Sequence, residues 1–303
     1  MYDLIIIGGG PAGLTSAVYA ARKKMDTLLL TKEFGGQLMW TKEIENYMGY
    51  QFISGPELMG KFEDQVRRFA VETKYQEVTG LMVQHDGTFL VKTEEGEYQS
   101  KTVILASGKR SRRLGVPGEL EFAGLGVSYC ATCDGPLFTD KIVAVVGGGN
   151  SAVQAAIELS NVSPTVYLVT RRGYVADPIL IEKMQAAENI IELTGYVSEG
   201  IYGNDLVETL RIRDIHKGEL RDLAVKGVFV EVGLEPNSEF LADLVEVNEQ
   251  RELIIDCRAR TNIPGVFAAG DVTNGPDKQI VIAAGDGAKA ALMAYDYLLH
   301  KKG

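Results

Sequence analysis

Residues 4–13 of the chain read LIIIGGGPAG. Four consecutive apolar residues are typical of a buried parallel strand, and the glycines after them open an Ala-rich helical stretch that ends at about Lys23. The spacing is that of G-x-G-x-x-G, in which the first glycine permits a tight turn, the second admits a pyrophosphate and the third allows close helix packing. The stretch therefore predicts a βαβ unit with a dinucleotide at the helix N-terminus. Its predicted contacts are Gly8, Gly10, Pro11, Ala12 and Gly13.

The same pattern returns in the middle of the chain. The apolar run Ile142–Val146 is followed by GGGNSA at residues 147–152 and by a helical stretch that ends at Leu159. Two dinucleotide motifs suggest two dinucleotides, and the natural pair for redox chemistry is a tightly held flavin with an exchangeable nicotinamide. The predicted contacts of this second motif are Gly147, Gly149, Asn150, Ser151 and Ala152.

Each glycine motif is followed by a β-rich stretch, so the chain has two similar halves. Connections are predicted at Ser107–Gly118 and near Gly233–Asn237, and the basic residues 109–113 are interpreted as solvent-exposed. We therefore expect an α/β protein with two Rossmann-like dinucleotide-binding domains, the second inserted into the first. Residues 1–112 and 240–303 would form the FAD-binding domain, and residues 113–239 the NAD(P)H-binding domain.

A pair of cysteines precedes the second glycine motif. Cys130 and Cys133 have the spacing C-x-x-C, which suits an exchanging dithiol. Half of a zinc site has the same spacing, but the chain offers only Cys257 and three scattered histidines as further ligands, so no metal is predicted. Cys257 is expected to be buried and inert. Because Cys133 precedes Gly147 by fourteen residues, the dithiol should belong to the predicted nicotinamide domain.

Length, charge and cysteine content limit the classes of function. A chain of 303 residues suits two domains, and a formal net charge of −10 argues against a nucleic-acid partner. The apolar run after Met1 is too short for a signal peptide, and no apolar stretch is long enough to span a bilayer. Three cysteines are not a disulfide framework, so a cytoplasmic location without a membrane partner is expected.

The segment around the cysteines carries a family resemblance. Residues 126–135, GVSYCATCDG, resemble the redox-active segment of low-molecular-weight thioredoxin reductases, and the match extends from Met1 to Leu299. It implies an FAD-dependent thioredoxin-disulfide reductase that passes electrons from NAD(P)H through FAD and the disulfide to thioredoxin or a thioredoxin-like protein. It implies that Cys133 faces the flavin, that Cys130 attacks the protein substrate and that Asp134 handles the thiol proton. A homodimer is implied as well.

Other segments resemble the flavin contacts of the same family. They are Gly35-Gly36-Gln37, Glu45-Asn46-Tyr47, residues 268–271, in which the aspartate meets the ribityl chain, and Lys278-Gln279-Ile280. The usual acidic ligand of a ribose is represented only by Glu33. The further residues predicted to bind the cofactor are Glu33, Gly36, Gln37, Asn46, Gly108, Gly270, Asp271, Lys278, Gln279 and Ile280.

A second resemblance leaves the electron acceptor open. Residues 133–138, CDGPLF, and residues 278–289 resemble the flavoprotein subunit of alkyl hydroperoxide reductase. That subunit carries an N-terminal thioredoxin-like extension, whereas the first glycine motif here begins at residue 8, which implies a separate carrier. The alternatives are a peroxiredoxin-linked or glutaredoxin-like carrier, a relative fed by a non-nicotinamide donor such as ferredoxin, and a non-enzymatic redox sensor.

One segment bears on the choice of coenzyme. NADPH-using members of the family carry His-Arg-Arg-x-x-x-Arg after the strand that follows the second glycine motif, and here residues 170–176 read TRRGYVA. Arg171 and Arg172 are kept, whereas the first His and the last Arg are replaced. Arginines suit a 2′-phosphate and an acidic residue would suit a free ribose, so the segment favours NADPH over NADH.

Overall fold

Two units, each built on a sheet with parallel strands, organise the chain. The structure is a computed structural model that describes residues 1–40, 44, 46–241 and 244–300, and at Trp40 and Cys133 it describes the backbone alone. The first unit comprises Met1–Arg110 and Glu235–Gly303, and the second comprises Ser111–Leu234. The predicted α/β class, with one unit inserted into the other, is confirmed.

The strands and helices of the described residues have the following bounds. In chain order they are β1 (Tyr2–Gly9), α1 (Pro11–Arg22), β2 (Thr27–Phe34), α2 (Gly55–Arg68), β3 (Glu72–Tyr75), β4 (Val78–Val83), β5 (Phe89–Thr93), β6 (Glu97–Leu105), β7 (Lys109–Ser111), β8 (Val127–Ser128), α3 (Ala131–Asp134), β9 (Val143–Val146), α4 (Asn150–Ser160), β10 (Val166–Thr170), α5 (Pro178–Gln185), β11 (Ile190–Thr194), β12 (Tyr196–Gly203), β13 (Val207–Asp214), β14 (Leu220–Ala224), β15 (Gly227–Val230), β16 (Leu234–Pro236), β17 (Val266–Ala268) and α6 (Ile280–His300).

The sheet of the first unit has the strand order β3-β2-β1-β6-β5-β4, and β17 also pairs with β6. Strands β2, β1, β6 and β17 pair in parallel, whereas β4 and β5 form an antiparallel hairpin with the start of β6. Leu4–Ile7 in β1 is buried on both faces of the sheet, which explains why this strand is a continuous apolar run. Helix α6 packs on α1 through Gly287, where an added Cβ would lie 2.1 Å from the Ala12 carbonyl oxygen.

The second unit holds a parallel sheet with the order β11-β10-β9-β15-β8 and an antiparallel sheet with the order β12-β13-β14. Strand β9 precedes the second glycine motif and has β10 on one side and β15 on the other. This is the topological switch point, where ligands of doubly wound sheets bind beyond the carboxyl ends of the strands.

The first connecting segment differs from its prediction at one residue. The Lys109 side chain is only 8% exposed and forms an ion pair with Glu252, so the interpretation of residues 109–113 as solvent-exposed is wrong there. A lysine is buried when a carboxylate compensates its lost hydration, and no local sequence signal indicates such a distant partner. Arg110 is half exposed and pairs with Glu235 and Glu239. None of the described helices has both the length and the hydrophobicity that a membrane crossing requires.

Candidate functional site

The first glycine turn has the close contacts that its spacing predicts. An added Cβ at Gly8, where φ is +119°, would lie 2.2 Å from the Ala106 carbonyl oxygen, and one at Gly13 would lie 1.8 Å from the Gly8 carbonyl oxygen. Gly10 is different, because a Cβ there would meet nothing within 4 Å. It is the N-cap of α1, and no side chain caps that helix end. Open space at a helix N-terminus without a side-chain cap fits a pyrophosphate.

Two acidic residues predicted to bind the cofactor lie beside this turn. Glu33 is exposed near the end of β2, and an added Cβ at Gly9 would lie 2.9 Å from its carbonyl oxygen. The second residue, Asp271, follows Gly270, which lies close to α1: an added Cβ at Gly270 would lie 3.0 Å from the Ala12 Cβ. Burial raises the pKa of Asp271 above its ordinary value, and the charges of nearby lysines oppose that rise only in part. A partly buried carboxyl group of this kind can form hydrogen bonds with sugar hydroxyls.

Hydrogen bonds join the remaining predicted flavin contacts of the first unit. The Asn46 Nδ2 atom donates to Gln279 Oε1 at 3.1 Å, and the Gln37 Nε2 atom donates to the Lys109 carbonyl oxygen at 2.7 Å. Gly36 has φ of +55° and Gly108 has φ of +67°, and both are open to an added Cβ. Ile280 begins α6. The predicted contact segment that includes Glu45 lies in part outside the described residues.

A buried charge cluster, formed by Lys109, Glu252 and Lys278, lies in the same unit. The Glu252 Oε1 atom is hydrogen-bonded to Lys109 Nζ and lies 3.2 Å from Lys278 Nζ; the side chains of Glu252, Lys109 and Lys278 are 14%, 8% and 18% exposed. Asn248 Nδ2 donates to the other carboxylate oxygen at 2.6 Å. Burial alone would raise the pKa of Glu252, but the hydrogen bonds from Lys109 and Asn248 and the charge of Lys278 hold it below its ordinary value. Sequence reasoning found Lys278 and missed its two partners.

The second glycine turn repeats the geometry of the first. An added Cβ at Gly147, where φ is +151°, would lie 2.2 Å from the Glu231 carbonyl oxygen. Gly149 is the N-cap of α4, has no side-chain cap, and has nothing within 4 Å of an added Cβ. Asn150 is held in place by Asp177, whose backbone N–H donates to Asn150 Oδ1 at 2.7 Å. The second turn therefore fits a dinucleotide on the same grounds as the first.

The two arginines predicted to select the coenzyme follow β10 directly. Arg171 and Arg172 are exposed, and the loop that carries them is closed by the Thr170 hydroxyl, which donates to the Gly173 carbonyl oxygen at 2.8 Å. Their guanidinium groups are accessible to a 2′-phosphate.

The redox segment joins β8 to α3. Cys130 is disulfide-bonded, and its backbone N–H donates to Ser128 Oγ at 3.1 Å. The same hydroxyl donates to Asp134 Oδ2 at 2.8 Å, so Ser128 ties the predicted proton-handling carboxylate to the cysteine backbone. The Cys133 side chain lies outside the described residues, and its pairing with Cys130 stays a prediction. Ser128 is part of the quoted motif, but its role depends on the turn geometry, which the motif alone does not show.

The residue before Cys130 is also fixed. The Tyr129 hydroxyl donates to Glu119 Oε1 at 3.1 Å, and the buried Glu119 carboxylate accepts the backbone N–H groups of Leu114 and Gly115. Burial and the Glu119 charge raise the pKa of Tyr129 to about 12, so its hydroxyl remains a donor at neutral pH. This anchoring limits the positions open to Cys130.

The expectation for the third cysteine is wrong. Cys257 is free, as predicted, but it is exposed and not buried. It lies in a surface turn between Asp256 and Arg260, which form an ion pair with each other.

The parallel sheet of the second unit brings the glycine turn and the disulfide to one edge. Strand β15 pairs in parallel with β9 on one side and with β8 on the other. The carboxyl ends of all three strands therefore lie together. Gly147 follows β9, Glu231 follows β15, and Cys130 follows β8 after one residue. Strand β9, which leads into the Gly147 turn, and strand β8, which leads into the disulfide-bonded Cys130, are thus separated by one strand, β15.

A family model supports this arrangement. The model of the pyridine nucleotide-disulphide oxidoreductases matches residues 2–287. The chain belongs to the pyridine nucleotide-disulphide oxidoreductase family. Proteins of this family use FAD and NAD(P)H, so the cofactors predicted from the sequence are confirmed. When bound, FAD transfers electron pairs between a nicotinamide and a disulfide.

Individual members of the family are similar over nearly the whole chain. The solved thioredoxin reductase of Streptococcus pyogenes is 42% identical, with a TM-score of 0.86 and 99% of each chain covered. The F subunit of alkyl hydroperoxide reductase of Pseudomonas putida is 42% identical over 98% of this chain, and an NADH dehydrogenase of Bacillus subtilis is 39% identical over 98%. The chain spans 58% and 59% of the length of these two relatives. The predicted resemblance to thioredoxin reductases and to the alkyl hydroperoxide reductase flavoprotein is confirmed.

Proposed function

We propose that this oxidoreductase is an FAD-dependent thioredoxin-disulfide reductase, in which the Cys130–Cys133 disulfide delivers electrons from NAD(P)H to a thioredoxin-like protein. The observation that carries the proposal is the shared sheet edge of the second unit, where the disulfide-bonded Cys130 and the Gly147 turn are separated by one strand. A protein that only binds dinucleotides does not need a disulfide there. The structural similarity to thioredoxin reductases over whole chains supports the same activity.

The side chains of the redox segment have separate roles in this proposal. In the reduced protein, the Cys130 thiolate attacks the disulfide of the carrier and forms a mixed disulfide. Cys133 then attacks Cys130, which releases the carrier as a dithiol and leaves the Cys130–Cys133 disulfide. Asp134 exchanges the proton of the thiol, and Ser128 positions it through the hydrogen bond to Oδ2.

The two glycine turns divide the cofactors between them. FAD is assigned to the Gly8 turn, because the partly buried Asp271 and the hydrogen-bonded Asn46 and Gln279 belong to the same unit. NAD(P)H is assigned to the Gly147 turn, and the exposed Arg171 and Arg172 favour NADPH.

A single substitution in the complete flavoprotein tests the role of the dithiol. We expect Cys130→Ser to lose reduction of thioredoxin disulfide, because the attacking thiolate is gone, while NADPH still bleaches the flavin absorbance. Cys257→Ser is the matched control, since this cysteine is free and exposed, and it should keep the wild-type rate. If Cys130→Ser reduces thioredoxin at the wild-type rate, the proposed function is wrong.

A second acceptor is favoured by one observation. Relatives that are 42% identical to this chain are named as the F subunit of alkyl hydroperoxide reductase, so a peroxiredoxin-linked carrier is the alternative acceptor. Steady-state rates with thioredoxin and with a peroxiredoxin-linked carrier, each with NADPH and with NADH, decide between them. We also propose that the protein is a cytoplasmic homodimer, and sedimentation of the purified protein tests the dimer.

A further inference from the structure

The loop that carries Arg171 and Arg172 is fastened to the glycine turn of the second unit. The Val175 backbone N–H donates to the Gly148 carbonyl oxygen at 2.8 Å. An added Cβ at Gly148 would lie 2.6 Å from the Gly173 carbonyl oxygen, so the backbone of the loop packs directly on the turn. The two exposed arginines therefore belong to a segment whose backbone is held against the predicted coenzyme site.

A pair of side chains adds a second fastening at the end of this loop. The Asp177 backbone N–H donates to Asn150 Oδ1 at 2.7 Å, and Asn150 Nδ2 donates to Asp177 Oδ2 at 3.1 Å. Asn150 is the first residue of α4, and Asp177 is the N-cap of α5, 27 residues later in the chain. Because the two hydrogen bonds run in opposite directions, they fix the orientation of the loop as well as its distance from α4.

The Asp177 side chain does not serve its own helix. Aspartate is a preferred N-cap because its carboxylate usually accepts the N–H of the second or third residue of the helix. In the part of the chain that the structure describes, no side chain caps α5, and Pro178 occupies its first position. The exposed Asp177 carboxylate accepts from Asn150 instead. Helix capping therefore does not account for this residue, whereas the contact with α4 does.

The first glycine turn has the backbone contact without the side-chain pair. The Gly35 backbone N–H donates to the Gly9 carbonyl oxygen at 3.0 Å, which repeats the backbone bond of the second turn. The position of Asn150 is taken by Pro11, whose ring has no hydrogen-bonding group. The pair of Asn150 and Asp177 is therefore an addition of the second turn, whose ligand in the proposed function is the exchangeable coenzyme.

We propose that Asn150 and Asp177 are positioning residues for coenzyme choice, which hold Arg171 and Arg172 where a 2′-phosphate is recognised. This inference rests on the proposed assignment of NADPH to the Gly147 turn. Fixing a free loop on a phosphate costs conformational entropy, whereas a loop that is held in the folded protein has lost that entropy before the coenzyme binds. The gain belongs to the coenzyme whose phosphate contacts the arginines, so NADPH benefits and NADH, which lacks the 2′-phosphate, does not.

The charge of Asp177 alone would have the opposite effect on the coenzyme. An isolated carboxylate on the arginine loop repels a 2′-phosphate, so its removal would strengthen NADP⁺ binding. A positioning residue acts through its hydrogen bond, so its removal weakens NADP⁺ binding. The variant D177N separates the two effects, because the amide keeps an oxygen acceptor for Asn150 and loses the charge.

Calorimetric titration of the oxidised flavoprotein with NADP⁺ and with NAD⁺ measures coenzyme choice without turnover. We expect D177A to raise the Kd for NADP⁺ about five- to tenfold and the Kd for NAD⁺ less than about twofold, and D177N to bind both as the wild type does. N150A removes both hydrogen bonds and should lower the preference for NADP⁺ at least as much, and adding D177A to N150A should change it little further. D205A is the matched control, because it removes an exposed carboxylate from the turn between β12 and β13 and should leave both Kd values unchanged.

Tryptic cleavage measures the release of the loop itself. Trypsin cleaves after arginine, and cleavage at Arg171 or Arg172 requires the loop to leave the turn. We expect D177A to be cleaved there about five- to tenfold faster than the wild type and D177N at the wild-type rate, with the sites identified by mass spectrometry. The urea unfolding midpoint and the flavin content of D177A should be unchanged, which would show that the release is local.

The possible failures are distinguishable. If D177A keeps the wild-type preference for NADP⁺, or if D177A and D177N change it equally, the positioning role is wrong and the proposed function stands. If the wild type binds NADP⁺ no more tightly than NAD⁺, the inference fails, while a disulfide reductase fed by NADH remains. If the wild type binds neither coenzyme, the proposed function itself fails, and the inference with it. Should D177A not fold, a wild-type ratio of the two Kd values in N150A overturns the inference.

Discussion

The two glycine turns of this protein have the same backbone conformation and differ in the charged side chains around them. Added Cβ atoms at Gly9 and Gly148 would each lie 2.6 Å from the hydroxyl oxygen of a threonine on the next strand, Thr31 and Thr170. The N-cap glycines of both following helices have extended backbones and open space at the Cβ position. The common geometry explains why both turns are suited to a dinucleotide.

The side chains around the turns are not equivalent. Two residues after the threonine, the first turn has Glu33 and the second has Arg172. Where the first turn packs against Ala106, the second packs against Glu231. An acidic residue suits a free ribose and an arginine suits a phosphate, so we expect the turn to determine that a dinucleotide binds and its neighbours to determine which one.

The largest effect is expected from adding one methyl group to the first turn. Gly13→Ala would place a Cβ 1.8 Å from the Gly8 carbonyl oxygen, so we expect the first unit to lose about 3 kcal/mol of stability and the purified protein to lack FAD. Ala152 takes the place of Gly13 in the second turn, and Ala152→Gly should retain the fold and lose about 1 kcal/mol. The measurements are urea unfolding and the ratio of flavin to protein.

Gly10→Ala is the control for this pair, because its Cβ would enter open space at a negative φ. It should leave apoprotein stability within about 0.5 kcal/mol of the wild type. Equal losses in Gly13→Ala and Gly10→Ala would show that the first turn is not packed as described.

A loss of stability of similar size is expected from the charge cluster, which among the described residues only the first unit contains. Glu252→Gln removes the carboxylate that pairs with the mostly buried Lys109 and Lys278, and we expect a loss of about 3 kcal/mol. The control in the second unit is Asp222→Asn, which breaks the exposed pair with Arg211 and should cost about 0.5 kcal/mol. Urea unfolding of the apoprotein compares the two.

The pH dependence of the Glu252→Gln effect follows from the lowered pKa of Glu252. A carboxylate whose pKa is lower in the folded than in the unfolded state stabilises the fold above the unfolded value, which is about 4.3, and this contribution is lost as the pH falls through the folded value. The difference between wild type and Glu252→Gln should therefore be constant from about pH 5 upward and shrink below about pH 4. A difference that grows on acidification would contradict the assignment.

The sequence predicted the features that depend on local spacing. Both βαβ units, the dithiol motif and the inserted second unit follow from glycine spacing, apolar runs and the order of the motifs. The Gly8–Gly13 and Gly147–Ala152 turns were found because close backbone approach restricts residue choice at fixed intervals.

The features that sequence reasoning missed depend on residues far apart in the chain. Lys109 and Glu252 are separated by 143 residues, and a lysine in a basic run gives no sign that it will be buried. Glu231 follows an ordinary apolar strand, and its backbone contact with Gly147 depends on the strand order, which places β15 beside β9. Cys257 was assigned to the interior on residue type alone, whereas the turn that holds it is at the surface.

The smallest effect is expected at the arginines that distinguish the second turn from the first. A charge-assisted contact between a guanidinium and a phosphate is worth about 1.5–3 kcal/mol. Replacing both Arg171 and Arg172 by Ala should therefore raise the KM for NADPH about tenfold to a hundredfold, leave kcat nearly unchanged, and change the KM for NADH less than about twofold.

Two further variants make this last prediction specific. Arg221→Ala removes an exposed arginine from β14 of the same unit and should leave both KM values unchanged. Arg172→Glu gives the second turn the residue type that the first has at Glu33, and it should weaken NADPH further by repulsion while improving NADH through a ribose hydrogen bond. The readout is the ratio of kcat/KM for the two coenzymes. Equal losses for NADPH and NADH in the double Ala variant would mean that these arginines do not contact a 2′-phosphate. The contrast between Glu33 and Arg172 would then have no bearing on coenzyme choice.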